Sequence, residues 1–183
     1  MADVNERLRK SARAGSVPKL KALLREPGCD ALTQDEMGRT ALMHAAENGQ
    51  KACFILLLPV SNALARDKFG MTALMHAACY GHEAGAGLLL PTSDALTRDE
   101  DGLTALMWAA WDGGQACVER LLPRSNTLAQ DRNGFTASGL AANRGHESLA
   151  RFIDAYALAQ SERVSLGVEV GSEAPPKRFV RRV

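Results

Sequence analysis

The chain has 183 residues, of which 46% are hydrophobic and 23% charged, with 22 Lys plus Arg against 21 Asp plus Glu. That length can bury a real core in one unit, and that composition excludes a mostly disordered chain. A net charge of +1 gives no electrostatic case for nucleic acid or for an anionic membrane.

The first residues, "MADVNERLRKSARAGS", contain no apolar targeting core, and no apolar run approaches the length of a membrane span, so a cytoplasmic location is expected. Within residues 1–34, "RLRKSARAGSVPKLKALLREPG" reads as a helix pair with a polar surface, suited to close the N-terminal end of a stack.

From Asp35 the chain repeats with a period of 32 residues, in units 35–66, 67–98, 99–130 and 131–163. Gly38, Gly70, Gly102 and Gly134 mark one column; Thr40, Thr72, Thr104 and Thr136 follow two residues later. Paired alanines, for example Ala77 and Ala78, and a glycine such as Gly81 recur at fixed offsets, while Leu32, Leu64, Leu96 and Leu128 precede Asp35, Asp67, Asp99 and Asp131. In D-x-x-G the Asp suits the first and the Gly the last position of a type I turn, which predicts a protruding turn. Thr72 then caps a helix running through Leu74, Met75, Ala77 and Ala78, and Gly81 ends it in the left-handed conformation. A second helix is expected over residues 82–90, stopped by Pro91; Pro59 and Pro123 hold the same place in their units. Slim inner helices and bulky outer ones should curve the stack, and no unit can bury its apolar face alone.

The second unit, "DKFGMTALMHAACYGHEAGAGLLLP", resembles the ankyrin repeat family's D-x-x-G-x-T-P-L-H-x-A-A-x-x-G-H pattern with its leucine-rich second helix. Alanine (Ala41, Ala73, Ala105, Ala137) stands in place of that family's proline and methionine (Met43, Met75, Met107) in place of its motif histidine, and the period is one residue shorter than usual. The resemblance implies an all-α solenoid of stacked helix-turn-helix units with protruding turns. In the fourth unit Ser138 and Gly139 replace Leu and Met, and without a proline after Ile153 the last helix should run to about residue 163. Residues 164–183 hold Gly, Pro and the basic Lys177, Arg178, Arg181 and Arg182 against Glu169 and Glu173, which predicts a flexible basic tail.

Catalytic and metal chemistry is not signalled. No phosphate loop, nucleophile elbow or H-E-x-x-H motif occurs, and Cys29, Cys53, Cys79 and Cys117 lack paired spacing. His44, His76, Trp108 and Leu140 share one column, stacked about 10 Å apart, and read as a packing slot. His82 and His146 serve the turn between helices. Gly85 and Gly87, inside the second helix of their unit, fit either close packing against a neighbouring helix or a soft spot in the stack.

Function is therefore expected in the columns that vary. Around the turns these hold Met37, Phe69 and Asp101, then Arg39, Met71, Leu103 and Phe135; at the ends of the inner helices they hold Tyr80, Trp111, Asp112 and Arg144, with Glu47 on the rim. In the ankyrin family such residues line the concave face and contact proteins. Aromatic and apolar residues clustered there point to a binding strip, the alternative being that some of them pack against the next unit's turn. The resulting expectation is a non-enzymatic protein-binding module, an adaptor or regulatory binder, with no cofactor, no metal, no small-molecule substrate and no membrane, a monomer being favoured. Nucleic-acid binding through the basic tail and a role as an enzyme's regulatory subunit are the alternatives.

Overall fold

A threonine starts each of the four inner helices of the repeats. The Thr40, Thr72 and Thr104 hydroxyls accept the backbone N–H of Met43, Met75 and Met107, and each methionine sulfur accepts the threonine N–H in return, at 3.4 to 3.5 Å. This is a capping box in which sulfur takes the place of a carboxylate or amide, and it accounts for methionine in that column. Thr136 caps Gly139 without the return bond.

The computed structural model describes residues 3–165. Helices α1 (Val4–Arg13) and α2 (Val17–Leu23) form the first pair. The repeats follow as α3 (Ala41–Glu47) with α4 (Lys51–Leu57), α5 (Ala73–Cys79) with α6 (Glu83–Leu89), α7 (Ala105–Asp112) with α8 (Gln115–Leu121), and α9 (Ala137–Asn143) with α10 (Glu147–Ser165). No strand occurs among the described residues, so the architecture is an all-α repeat solenoid. Pro59 and Pro123 do not end their helices abruptly; each lies in a 3₁₀ turn, Leu58–Val60 and Leu122–Arg124, that tightens the outer helix before the loop. The last helix reaches Ser165, two residues beyond the expected end, and the remainder of the expected basic tail lies outside the described residues.

Seven-residue helices are not stable alone, and here neighbours supply the stability. The inner helices α3 and α5 are buried on almost every side, including Leu42, Leu74 and the alanine pairs Ala45/Ala46 and Ala77/Ala78. α1, α3, α5, α7 and α9 pack successively, more extensively than α2, α4, α6 and α8 do. Closer approach of the alanine-bearing row places it on the concave side.

The turns form a ladder along one edge. Within each turn the glycine N–H bonds back to the aspartate carbonyl, as from Gly70 to Asp67 at 3.0 Å. Between turns, Lys68 donates its N–H to the Met37 carbonyl, Glu100 to Phe69 and Arg132 to Asp101, each at 2.9 Å. A parallel side-chain ladder runs beside it: Gln34 donates to the carbonyl of Arg66, Arg66 to that of Arg98, and Arg98 to that of Gln130. Gly70 has φ +78° and would place a Cβ 3.0 Å from the Glu100 nitrogen, so both its backbone conformation and the approach of the next turn require glycine.

Candidate protein-binding surface

The repeated aspartate holds the variable residues in place. One carboxylate oxygen of Asp35 accepts the N–H of Met37 and of Arg39, both at 2.9 Å. Asp67 does the same for Phe69 and Met71, Asp99 for Asp101 and Leu103, and Asp131 for Asn133 and Phe135. The other oxygen accepts from the inner helix: His44 Nε2 and His76 Nε2 at 2.9 Å, Trp108 Nε1 at 2.8 Å. An ionised carboxylate only accepts, so Nε2 carries the proton in both histidines. The His44, His76, Trp108 column is thus a row of buried or half-buried N–H donors that orients the turns, a more specific role than the packing slot expected from sequence. The fourth repeat has Leu140 there and lacks the donor.

Burial pushes the Asp35 carboxyl up, but the N–H groups of Arg39 and Met37, His44 and the Arg39 charge outweigh it and leave the carboxyl below its usual range. At Asp99 the balance reverses: burial dominates, no arginine stands at the Arg39 position, and the carboxyl is raised. Burial also holds the His44 imidazole below its usual value, against the pull of Asp35 and Glu47.

From this scaffold Phe69 (55% exposed), Tyr80 (51%), Phe135 (42%), Met37 (38%) and Trp111 (36%) project into solvent. Asp101, Asp112 and Arg144 are exposed beside them. Met71 and Leu103 are half-buried and pack against the core, so only their outer edges belong to the face. Arg39 is held between Glu47 at 3.4 Å and Asp35 at 3.5 Å.

Two contacts order the aromatic strip. The Arg144 guanidinium lies 4.6 Å from the centre of the Trp111 ring, a cation–π contact between successive repeats. The Tyr80 ring stacks on His82, and His82 Nε2 lies 3.1 Å from the Glu47 carbonyl of the preceding repeat. At the N-terminal end the strip opens into a cleft of about 610 Å³, where Arg9 and Arg13 of α1 face Asp35, Met37, Arg39 and His44. Among the described residues no group of three or more His, Cys, Asp or Glu is placed to hold a metal ion, and no helix is long and apolar enough to cross a membrane.

A family model described as ankyrin repeats (3 copies) matches residues 8–99 and 85–157. The chain belongs to the ankyrin repeat family. Ankyrin repeats are generally protein–protein interaction modules, and the family is generally non-enzymatic. No curated protein matches the chain. Within this ankyrin stack the sequence-expected residues fall into two rows, one on the turns (Met37, Arg39, Phe69, Met71, Asp101, Leu103, Phe135) and one at the inner helix ends (Tyr80, Trp111, Asp112, Arg144). The Asp-to-His or Asp-to-Trp bond is the functional support that sequence reading missed; its signal was an N–H donor nine residues after the aspartate in three repeats and an apolar residue in the fourth.

Proposed function

We propose that this ankyrin protein is a non-enzymatic binding module, an adaptor, scaffold or regulatory binder, that recognises a protein partner through its concave face. Phe69, Tyr80, Trp111 and Phe135, with Met37, are the anchors, while Arg39, Asp101, Asp112 and Arg144 set the partner's orientation. The observation that carries this reading is the exposure of aromatic rings on three adjacent repeats, two of them, Phe69 and Phe135, at turn positions that the repeat aspartates fix. A solvated surface gains nothing from rings there, whereas a partner that covers them removes apolar area from water and uses the residue types that dominate interface energetics. The protein works as a cytoplasmic monomer before it meets that partner.

Affinity capture from native lysate, run with the wild type and with Trp111→Ala and Tyr80→Ala, tests the reading. Loss of a specific captured protein, with melting temperatures kept within a few degrees of the wild type, is the expected result. Undiminished capture by both variants would sink it.

A further inference from the structure

The inner end of the strip carries chemistry that narrows the partner. Tyr80 closes α5, Glu47 ends α3 on the repeat before it and Asp112 ends α7 on the repeat after it. Tyr80 is half exposed, and the His82 ring lies nearly parallel to its own with the centroids 6.4 Å apart. Asp112 is exposed and enters no ion pair among the described residues. Its Oδ2 would lie 2.9 Å from a Cβ built on Gly81, which places the carboxylate against the residue next to Tyr80. Glu47 shares Arg39 with Asp35, so one guanidinium, itself only half-buried, serves two carboxylates.

Two carboxylates, Glu47 and Asp112, act on this point, with the Arg39 charge against them. Burial and then Glu47 push the Tyr80 hydroxyl up, opposed only by the charge of Arg39. Burial, Asp112 and Glu47 push the adjacent Cys79 thiol up to about 11.

One repeat further on, the same face shows how such a ring is satisfied. Trp111 and Arg144 stand in the same relative columns as Glu47 and Tyr80, or as Cys79 and Asp112, and there the chain lays its own guanidinium 4.6 Å over the ring. No cation of this chain does so for Tyr80 among the described residues. A cation over an aromatic face gains from the ring's quadrupole, and flanking carboxylates add Coulomb attraction of the same sign.

We propose that an arginine or lysine side chain of the protein partner docks over the Tyr80 ring between Glu47 and Asp112, so that the partner presents a basic segment to this end of the concave face. This rests on the concave-face reading above and adds the partner's charge to it.

The test is a titration of the isotope-labelled full chain, followed residue by residue by NMR, with the peptide Gly-Arg-Ala-Gly-Arg-Ala-Gly and with its citrulline twin, which keeps the shape and removes the charge. Saturable shifts centred on Cys79, Tyr80 and Gly81 are expected, with the arginine peptide bound about tenfold more tightly than the citrulline peptide. Tyr80→Ala and Asp112→Asn should each weaken the arginine peptide by about fivefold or more and leave the melting temperature in place. Equal binding of the two peptides, or arginine shifts that survive Tyr80→Ala, would overturn the proposal. So would a concentration-dependent mass that Tyr80→Ala abolishes while the peptide binds nowhere, because the strip would then be covered by a second copy. If Trp111→Ala abolishes lysate capture while the two peptides bind alike, the concave-face reading stands and the cation site falls. If neither Trp111→Ala nor Tyr80→Ala alters capture, the reading falls and takes the cation site with it.

Discussion

His76 Nε2 donates to Asp67 Oδ2 at 2.9 Å, and both side chains are buried. The same carboxylate accepts the N–H groups of Phe69 and Met71, so one residue connects the turn, the inner helix and the exposed strip. Asp67→Ala therefore strands three donors, one of them buried on a ring. It should lower the unfolding free energy by about 2 to 4 kcal/mol. Asp131→Ala should cost about 1 kcal/mol, since the fourth repeat has no inner-helix donor and its turn is open to water. Urea denaturation of the two variants checks this; equal losses would mean that the buried bond to histidine contributes nothing.

Gly85 and Gly87 sit two residues apart in α6 and should respond oppositely to alanine. A Cβ at Gly85 would come within 3.0 Å of two ring carbons of Phe54, from the preceding outer helix, and within 3.5 Å of Ala77 Cβ. Gly85→Ala should destabilise by about 1 to 2 kcal/mol despite alanine's helix propensity, with part of the loss recovered in the double variant with Phe54→Leu. At Gly87 the nearest atoms are those of the flexible Arg120 side chain, at 3.4 Å. Gly87→Ala should stabilise by about 0.5 to 1 kcal/mol. Of the two sequence readings, close packing applies to Gly85, and a gain at Gly85 in thermal melts would contradict it.

The repeat was legible because its columns do local jobs. Thr72 caps within three residues, and Gly70 turns the chain back within four; neither needs a distant partner to be inferred. The link from Asp67 to His76 spans a turn and half of a helix, so no local propensity encodes it, and only the recurrence of a donor nine residues after the aspartate marks it. Repetition also did not separate core from surface: Leu32, Leu64, Leu96 and Leu128 recur in every unit and are 54% to 75% exposed. Within the candidate site the rows were legible and their depth was not. Met71 and Phe69 flank one glycine, yet Met71 turns toward the core while Phe69 faces water, because the left-handed Gly70 between them (φ +78°) breaks the alternation that would set them on one side. The tie of Arg39 to both Asp35 and Glu47 likewise depends on how the turn folds over the helix end.

His44 gives the stack a pH dependence of definite sign. Its Nε2 is bonded to Asp35, while Nδ1 is buried without a hydrogen-bond partner, 3.7 Å from a Glu47 oxygen. Burial holds the folded-state imidazole below its ordinary value, so the folded protein takes up a proton less readily than the unfolded chain. The contribution is complete above the unfolded histidine value of about 6.5 and is lost as pH falls through the lower folded value. Asp35, also lowered, contributes above the ordinary carboxylate range of about 4 and loses that contribution only at more acid pH. Unfolding in urea at a series of pH values should show stability falling below neutrality in the wild type and a flatter profile in His44→Gln. Superimposable profiles in that window would rule out the buried imidazole as the source.

The four thiols should react in a fixed order. Cys29 is half-buried and near the surface of the first helix pair, whereas Cys53 and Cys117 are fully buried. Cys79 is half-buried, but burial, Asp112 and Glu47 push its thiol up to about 11, leaving on the order of a thousandth of it as thiolate at pH 8. With a thiol reagent at pH 8 and peptide mapping by mass spectrometry, Cys29 should label first and Cys79 far more slowly. Cys53 and Cys117 should label only at the rate of unfolding. Asp112→Asn removes the charge that acts most strongly on Cys79 and should speed its labelling without changing that of Cys29 or Cys53. Unchanged labelling of Cys79 would show that the Asp112 carboxylate does not face it, and would remove one of the two charges assigned to the Tyr80 site.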